Sequence, residues 1–311
     1  MGTSGVMLTA PHYVLGEIEL PYTSIVDLDA RVAEFRMLPK PDLWGWGTVR
    51  RTERSIADLA VRTGSATLAA AGLDPAALDA VVLCSTGFPA GTRVHGSFAQ
   101  TVLSGLGVPD ADYLGVGINR CTNLLAGLQV ADALVRSGRH RRVLVVTTDR
   151  VDDEAMRLEK FALFSDGAAS CLVTAESEVP GGFELLGCAA ANRVAELDWA
   201  NEISPELSRQ VNDALLKPFG LTLDAVAGLM HANIFTPIVM LKEMQAGFTP
   251  AQLYTANIAR VGHCFAADPI INLVDRTAAG HVSAGGYYLL ASSVPGSRIG
   301  VLLRSLPDPT R

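Results

Sequence analysis

The chain is poor in charge, in histidine and in paired cysteine, and each shortage removes a class of function. Charged residues make up 18% of the 311 positions and apolar residues 49%. That balance describes a globular protein with a large core, not a disordered one. The formal net charge is −7, which argues against a general nucleic-acid binder. The five cysteines, at 84, 121, 171, 188 and 264, stand singly. No pair has metal-ligand spacing, so no metal is expected, and the odd count argues against a disulfide framework. A reducing, cytoplasmic compartment suits such free thiols. Apolar runs such as 143–146 fall far short of the roughly 18 residues a membrane span needs. The opening MGTSGV has neither a secretory apolar region nor a myristoylation signal. No membrane association is expected.

What remains is enough chain for one large domain or two ordinary ones. Strand-like and helix-like segments alternate, which predicts an α/β protein. A helix is expected over 56–71, closed by Gly72, and a buried strand over 79–84. Another helix should end at Arg136 with Gly138 as its left-handed stop, and strands are expected over 142–148 and 168–174. Two basic clusters stand out: Arg136, Arg139, His140, Arg141 and Arg142, and Arg50, Arg51 and Arg54. Runs of this kind are usually solvated loops, but either offers a local patch for an acidic partner.

The second half echoes the first. Ala71-Gly72-Leu73 with Leu78-Asp79-Ala80-Val81 recurs as Phe219-Gly220-Leu221 with Leu223-Asp224-Ala225-Val226. Seventeen positions separate Cys121 from Gly138, and seventeen separate His263 from Gly280. This spacing points to duplication of one βαβ-containing unit. Cys121 and His263 would then occupy matching helix entries, brought together at a pseudo-two-fold axis.

Cys121 is the most suggestive single position. It follows a strand-like segment and precedes the periodic run Leu124, Leu125, Leu128, Ala131, Val135. A helix start stabilises a thiolate through its unpaired amides and its dipole. Most free cysteines are simply small buried hydrophobes. Here, however, His231 follows the strand-like segment 226–230, and His263 opens the echoed helix. Element ends are where α/β folds place ligands.

These residues carry a family resemblance. Cys121 with the stretch from Gly127 to Gly138, the turn Phe164-Ser165-Asp166-Gly167-Ala168, the motif His231-Ala232-Asn233 and Gly262-His263 together resemble the type III ketoacyl-ACP synthases. The segment from Trp46 to Arg54 resembles the early Trp-x-x-x-Arg region of that family. The resemblance implies a thiolase fold with duplicated halves, 1–177 and 178–311, layered α-β-α-β-α. It implies that Cys121 is acylated by a CoA or carrier-protein thioester, with no tightly bound cofactor, in a homodimer. His231 and His263 would hold a second thioester's carbonyl as neutral donors during decarboxylative condensation with a malonyl-type unit. Trp46, Arg50 and Asn233 are the candidates for thioester, CoA or carrier binding.

Two departures qualify this expectation. The family's usual asparagine is His263 here, which opens an alternative: a general base for an alcohol or amine acceptor, with no decarboxylation. The family's glycine-rich oxyanion loop reads Ser292-Ser293-Val294-Pro295-Gly296, and Pro295 has no N–H where a donor is needed. Gly296 or Ser293 could substitute, and loss of one such donor costs about 2.7–4 kcal/mol. A specialised, polyketide-like pathway is therefore expected over ordinary fatty-acid initiation. Asp268 adds a charge where the family is apolar or small, and reads as a solvent-facing or helix-capping carboxylate. A non-catalytic partner subunit is a lesser alternative, since such subunits usually lack the nucleophile.

Overall fold

The short apolar runs become strands, and most of them join one sheet. A computed structural model describes residues 5–175, 182–198 and 204–307. Among these the strands are β1 (Val6–Leu15), β2 (Ile18–Pro21), β3 (Thr48–Arg51), β4 (Ala80–Cys84), β5 (Asp112–Val116), β6 (Arg142–Asp149), β7 (Gly167–Thr174), β8 (Phe183–Asn192), β9 (Val226–Met230), β10 (Tyr287–Val294) and β11 (Ser297–Ser305). The helices are α1 (Leu28–Glu34), α2 (Pro41–Trp44), α3 (Ile56–Ala70), α4 (Thr92–Leu106), α5 (Asn123–Arg136), α6 (Pro205–Leu216), α7 (Thr236–Gln245), α8 (Ala256–Val261) and α9 (Asp268–Ala278).

The strand order β5-β4-β6-β7-β1-β8-β11-β10-β9 contains the duplication. β1 pairs antiparallel with β7, β7 antiparallel with β6, and β6 parallel with β4. The second half repeats this: β8 antiparallel with β11, β11 antiparallel with β10, β10 parallel with β9. The two halves meet where β1 runs antiparallel to β8, from Val6↔Leu185 to Leu8↔Phe183. Among the described residues β5 has no counterpart. The expected boundary at 177/178 lies outside the described residues.

The helices build the layers. α5 packs on strands of both halves, and α9 touches β1, β7, β9 and β10, so these two lie in the middle. α3 covers β1, β6 and β7 from one outer face, and α6 covers β8 and β11 from the other. This is the expected α-β-α-β-α arrangement. β4 shows why it holds: every residue from Ala80 to Cys84 is buried. A parallel strand covered on both faces must be apolar throughout.

Local chemistry sets the helices. Ser55 caps α3 by accepting the Asp58 N–H at 3.1 Å. The hydroxyls of Thr63 and Thr67, one turn apart, both reach Ser170 on β7. Leu124, Leu125, Leu128 and Ala131 of α5 are fully buried; each leucine contributes about 1.5–3 kcal/mol. A Cβ at Gly127 would sit 2.6 Å from Cys84 Sγ, so α5 crosses β4 at a separation only glycine permits. Gly138 (φ 73°) and Gly280 (φ 74°) end α5 and α9 in the left-handed region, as their spacing predicts.

The helix entries differ from the expectation. Cys121 lies in a single 3-10 turn, Arg120–Thr122, ahead of α5. His263 precedes a similar turn, Phe265–Ala267, and α9 begins only at Asp268. Arg120 and Phe265 have φ of 54° and 51°, a left-handed conformation that interrupts a helix.

Candidate active site

Cys121 and His263 come from opposite halves and meet. The cysteine's turn is pinned by Asn123, whose Nδ2 donates to Ser85 O at 3.0 Å and whose Oδ1 accepts Asn119 N–H at 2.9 Å. His263 is gripped by the 163–165 segment: its N–H donates to Leu163 O at 2.7 Å, and its carbonyl accepts Ser165 N–H at 2.9 Å. That segment is itself anchored. Ser165 Oγ donates to Val261 O and accepts Arg50 N–H. Asp166 accepts Thr52 N–H, Val151 N–H and the buried Arg157 guanidinium. The Phe164 ring lies 4.8 Å from the His263 ring, centre to centre.

So placed, His263 turns Nε2 to Cys121 Sγ at 3.3 Å and Nδ1 to Asp268 Oδ2 at 2.5 Å. Asp268 is fully buried. Its Oδ2 also accepts Asn233 N–H at 2.6 Å, and its Oδ1 accepts Cys264 N–H at 2.7 Å. Burial works against a charge on His263, but interactions with Asp268 and Cys121 on either side outweigh it and raise its pKa from 6.5 to about 10. This corrects the expectation for Asp268, which neither faces solvent nor caps α9; it orients a histidine. For His263 the raised pKa favours the protonated ring over the neutral donor expected.

His231 does not join them. It is buried, and it does not border the cavity that Cys121 opens onto. Its Nδ1 lies 2.7 Å from Ala232 O, and a carbonyl can only accept, so Nδ1 carries the proton. Burial lowers its pKa, keeping it neutral. Nε2 is then a lone pair without a partner, and offers no hydrogen to a carbonyl oxygen.

The cavity beside Cys121 measures ≈ 360 Å³ and is walled by Phe161, Ile234, His263, Ser293 and Pro295, with Arg120 and Lys160 also bordering it. Ser293 is thus on the wall. Gly296 is not: it closes the β10–β11 hairpin with φ 67° and its carbonyl accepts Arg193 N–H. Trp46 does not border this cavity. It is buried against Tyr22 and Phe235, in the segment that leads into β3. Arg50 on β3 pairs with Glu19 on β2. Asn233 serves Asp268 through its amide, and its Oδ1 accepts from Asn272. The basic clusters are largely matched: Arg136 with Asp132, Arg139 and His140 with Asp112, Arg51 with Glu154, and Arg54 with Asp58.

Sequence reasoning passed over the Asp268–His263 pairing. The signal was present as an acidic residue five positions after a histidine, at a helix start and followed by proline. It also passed over the buried pair Arg298 and Glu243 behind Ser293. Among the described residues, no three His, Cys, Asp or Glu side chains gather as a metal site. No described helix is long and apolar enough to cross a membrane.

Comparison with known proteins agrees with this architecture. A family model for 3-oxoacyl-[acyl-carrier-protein] synthase III matches residues 118–190, the stretch that contains Cys121. The β-ketoacyl-[acyl-carrier-protein] synthase III of Roseiflexus castenholzii is 35% identical over 162 residues, covering 49% of this chain and 47% of that protein. That of Rhodospirillum rubrum is 36% identical over 134 residues, covering 41% and 39%. The matched region thus spans less than half the length of these relatives. Solved structures match nearly throughout. The acyltransferase ChlB3 superimposes with a TM-score of 0.83 at 17% identity, covering 98% of this chain and 99% of that one. The 3-oxoacyl-[acyl-carrier-protein] synthase III of Aquifex aeolicus gives 0.79 at 19% identity, covering 96% and 100%. The stretch around Cys121 is thus similar to type III ketoacyl synthases, and the chain as a whole has the fold of their solved structures.

Proposed function

We propose that the chain is an acyltransferase in which Cys121 takes an acyl group from a CoA or carrier-protein thioester and His263 directs it to a hydroxyl or amine. The observation that carries this reading is the chain of contacts Cys121 Sγ–His263 Nε2–His263 Nδ1–Asp268 Oδ2. A nucleophile, a base and a carboxylate that fixes the base's tautomer form a general acyl-transfer device. The protons balance. Cys121 attacks as the thiolate while His263 is protonated, and the departing thiol carries away that proton. Neutral His263 then takes a proton from the acceptor as its oxygen or nitrogen attacks the acyl-cysteine. When Cys121 leaves as thiolate, His263 is an imidazolium again.

Decarboxylative condensation is less well served by this geometry. It needs hydrogen-bond donors for an enolate, whereas His231 Nε2 offers a lone pair and His263 is committed to Asp268 and Cys121. The reading keeps the halves 1–177 and 178–311 as bearers of nucleophile and base, and a specialised cytoplasmic pathway as the setting. It also pairs two copies along β5, an edge strand exposing Tyr113 and Leu114, since apolar edge strands are normally covered. The deciding experiment loads Cys121 from a panel of acyl-CoA thioesters, including malonyl-CoA, and identifies the adduct by mass. Alcohol and amine acceptors are then added. Ester or amide formation without carbon dioxide release supports the reading; carbon dioxide release with a new carbon–carbon bond overturns it.

A further inference from the structure

Behind the cavity wall lies an ion pair that the mechanism above does not use. Arg298 and Glu243 are both fully buried. Arg298 Nη1 and Nη2 meet Glu243 Oε1 and Oε2 at 2.7 and 3.0 Å, a bidentate pair. Removing two charges from water is costly, and such a pair is often no more stabilising than apolar residues of the same volume. Lys242 Nζ adds a longer contact to Glu243 at 3.5 Å, and on the arginine side the pair reaches toward the cavity. Arg298 Nη1 also donates to Ser293 Oγ at 3.1 Å.

A guanidinium can only donate, so Ser293 Oγ accepts there and its own proton is free for another partner. Ser293 lines the cavity shared by Cys121 and His263. β10, which carries it, packs on the Arg120–Thr122 turn, and Arg120 Nη2 ties the two by donating to Pro295 O at 2.8 Å. The neighbouring hairpin turn offers little in its place. Pro295 has no N–H, and Gly296 faces elsewhere: a Cβ on it would strike the backbone of Glu196 and Leu197. Ser292 alternates to the opposite face of β10.

We propose that the Ser293 hydroxyl donates to the oxyanion formed when Cys121 attacks an acyl group, with Arg298 and Glu243 as the positioning pair that polarises it. This rests on the acyl-enzyme reading and adds a catalytic residue to it. A donor whose oxygen already accepts from a cation is a stronger acid toward a new acceptor. It is also aimed before the reaction begins, which is what an oxyanion site requires.

The test compares two reactions of the same sulfur. p-Nitrophenyl acetate acylates Cys121 through an oxyanion; iodoacetamide alkylates it without one. Ser293→Ala should slow acylation by about 10²–10³-fold and leave alkylation unchanged. Ser293→Thr, which keeps the hydroxyl, should restore acylation. Glu243→Gln should slow acylation less than Ser293→Ala does, again sparing alkylation. Unchanged acylation in Ser293→Ala, or a parallel fall in both reactions, overturns the proposal. If the wild-type chain is acylated by p-nitrophenyl acetate but by no acyl-CoA, the thioester reading fails while the role of Ser293 stands.

Discussion

His263 Nδ1 lies 2.5 Å from Asp268 Oδ2, and both side chains are buried. The two residues are separated by one 3-10 turn, so a single loop supplies both the base and the group that aims it. Asp268 is not free to swing, because the amides of Asn233 and Cys264 hold its two oxygens. The imidazole is therefore held with Nδ1 on the carboxylate and Nε2 toward sulfur.

Asp268→Asn is expected to reduce acyl transfer by about 10³–10⁴-fold, since an amide can turn the imidazole into the wrong tautomer. Circular dichroism should remain native, because the asparagine carbonyl still accepts one of the two backbone amides. A variant retaining full transfer would remove Asp268 from the mechanism.

The proton on His263 has a pH signature. Its folded pKa of about 10 lies above the unfolded 6.5. Its contribution to stability is thus complete below pH 6.5 and is lost as pH rises through about 10. In ¹⁵N spectra of labelled histidine, the His263 ring should show two protonated nitrogens at pH 7 and titrate only near the upper limit. In Asp268→Asn the midpoint should fall. A neutral His263 ring at pH 7 would contradict the assignment.

His231→Ala should leave Cys121 acylation intact. Transfer to an oxygen or nitrogen acceptor should fall by less than the roughly 10²-fold at which general acid–base roles begin. A larger loss, measured by single-turnover quench, would return His231 to the reacting centre.

Gly127→Ala should destabilise the fold by about 1–3 kcal/mol in urea titrations, the usual cost of overpacking. The added methyl would meet Cys84 Sγ and Val145, both on rigid buried strands. No change in the midpoint would mean that α5 can lift from β4 without cost.

Arg298→Met should cost up to about 3–5 kcal/mol, because Glu243 loses its bidentate partner and keeps only the longer contact to Lys242 Nζ at 3.5 Å. The double variant Arg298→Met/Glu243→Leu should recover part of that stability, because the carboxylate stripped of its bidentate partner is gone while the buried Lys242 loses this neighbour. It should not recover acylation, which the polarised Ser293 hydroxyl serves. Recovery of both would make the pair purely structural.

Much of the frame was legible in the sequence, and for identifiable reasons. Gly138 and Gly280 marked equivalent helix ends because only glycine accepts their backbone cheaply. Val81, Val82 and Leu83 marked a strand covered on both faces. Cys121 stood out as the residue between a strand and a periodic helix. Side-chain direction was not legible. His231 and His263 look alike in the sequence, yet one bonds the next residue's carbonyl and the other bridges Asp268 and Cys121. Trp46 and Gly296 matched a motif, but an aromatic cluster and a tight turn hold them away from the cavity wall. Asp268 was visible and read as a surface charge, because the Gly262 turn that brings His263 onto it leaves no periodic trace.

The seam between β1 and β8 is only a few residue pairs long, yet sulfur and imidazole lie on opposite sides of it. Their separation is thus a gauge of how the two halves are seated. A small slip along that seam would dull the thiol well before the protein lost its shape. The reactivity of Cys121 is, in this sense, a spring balance reading the fit between the two halves of the sheet.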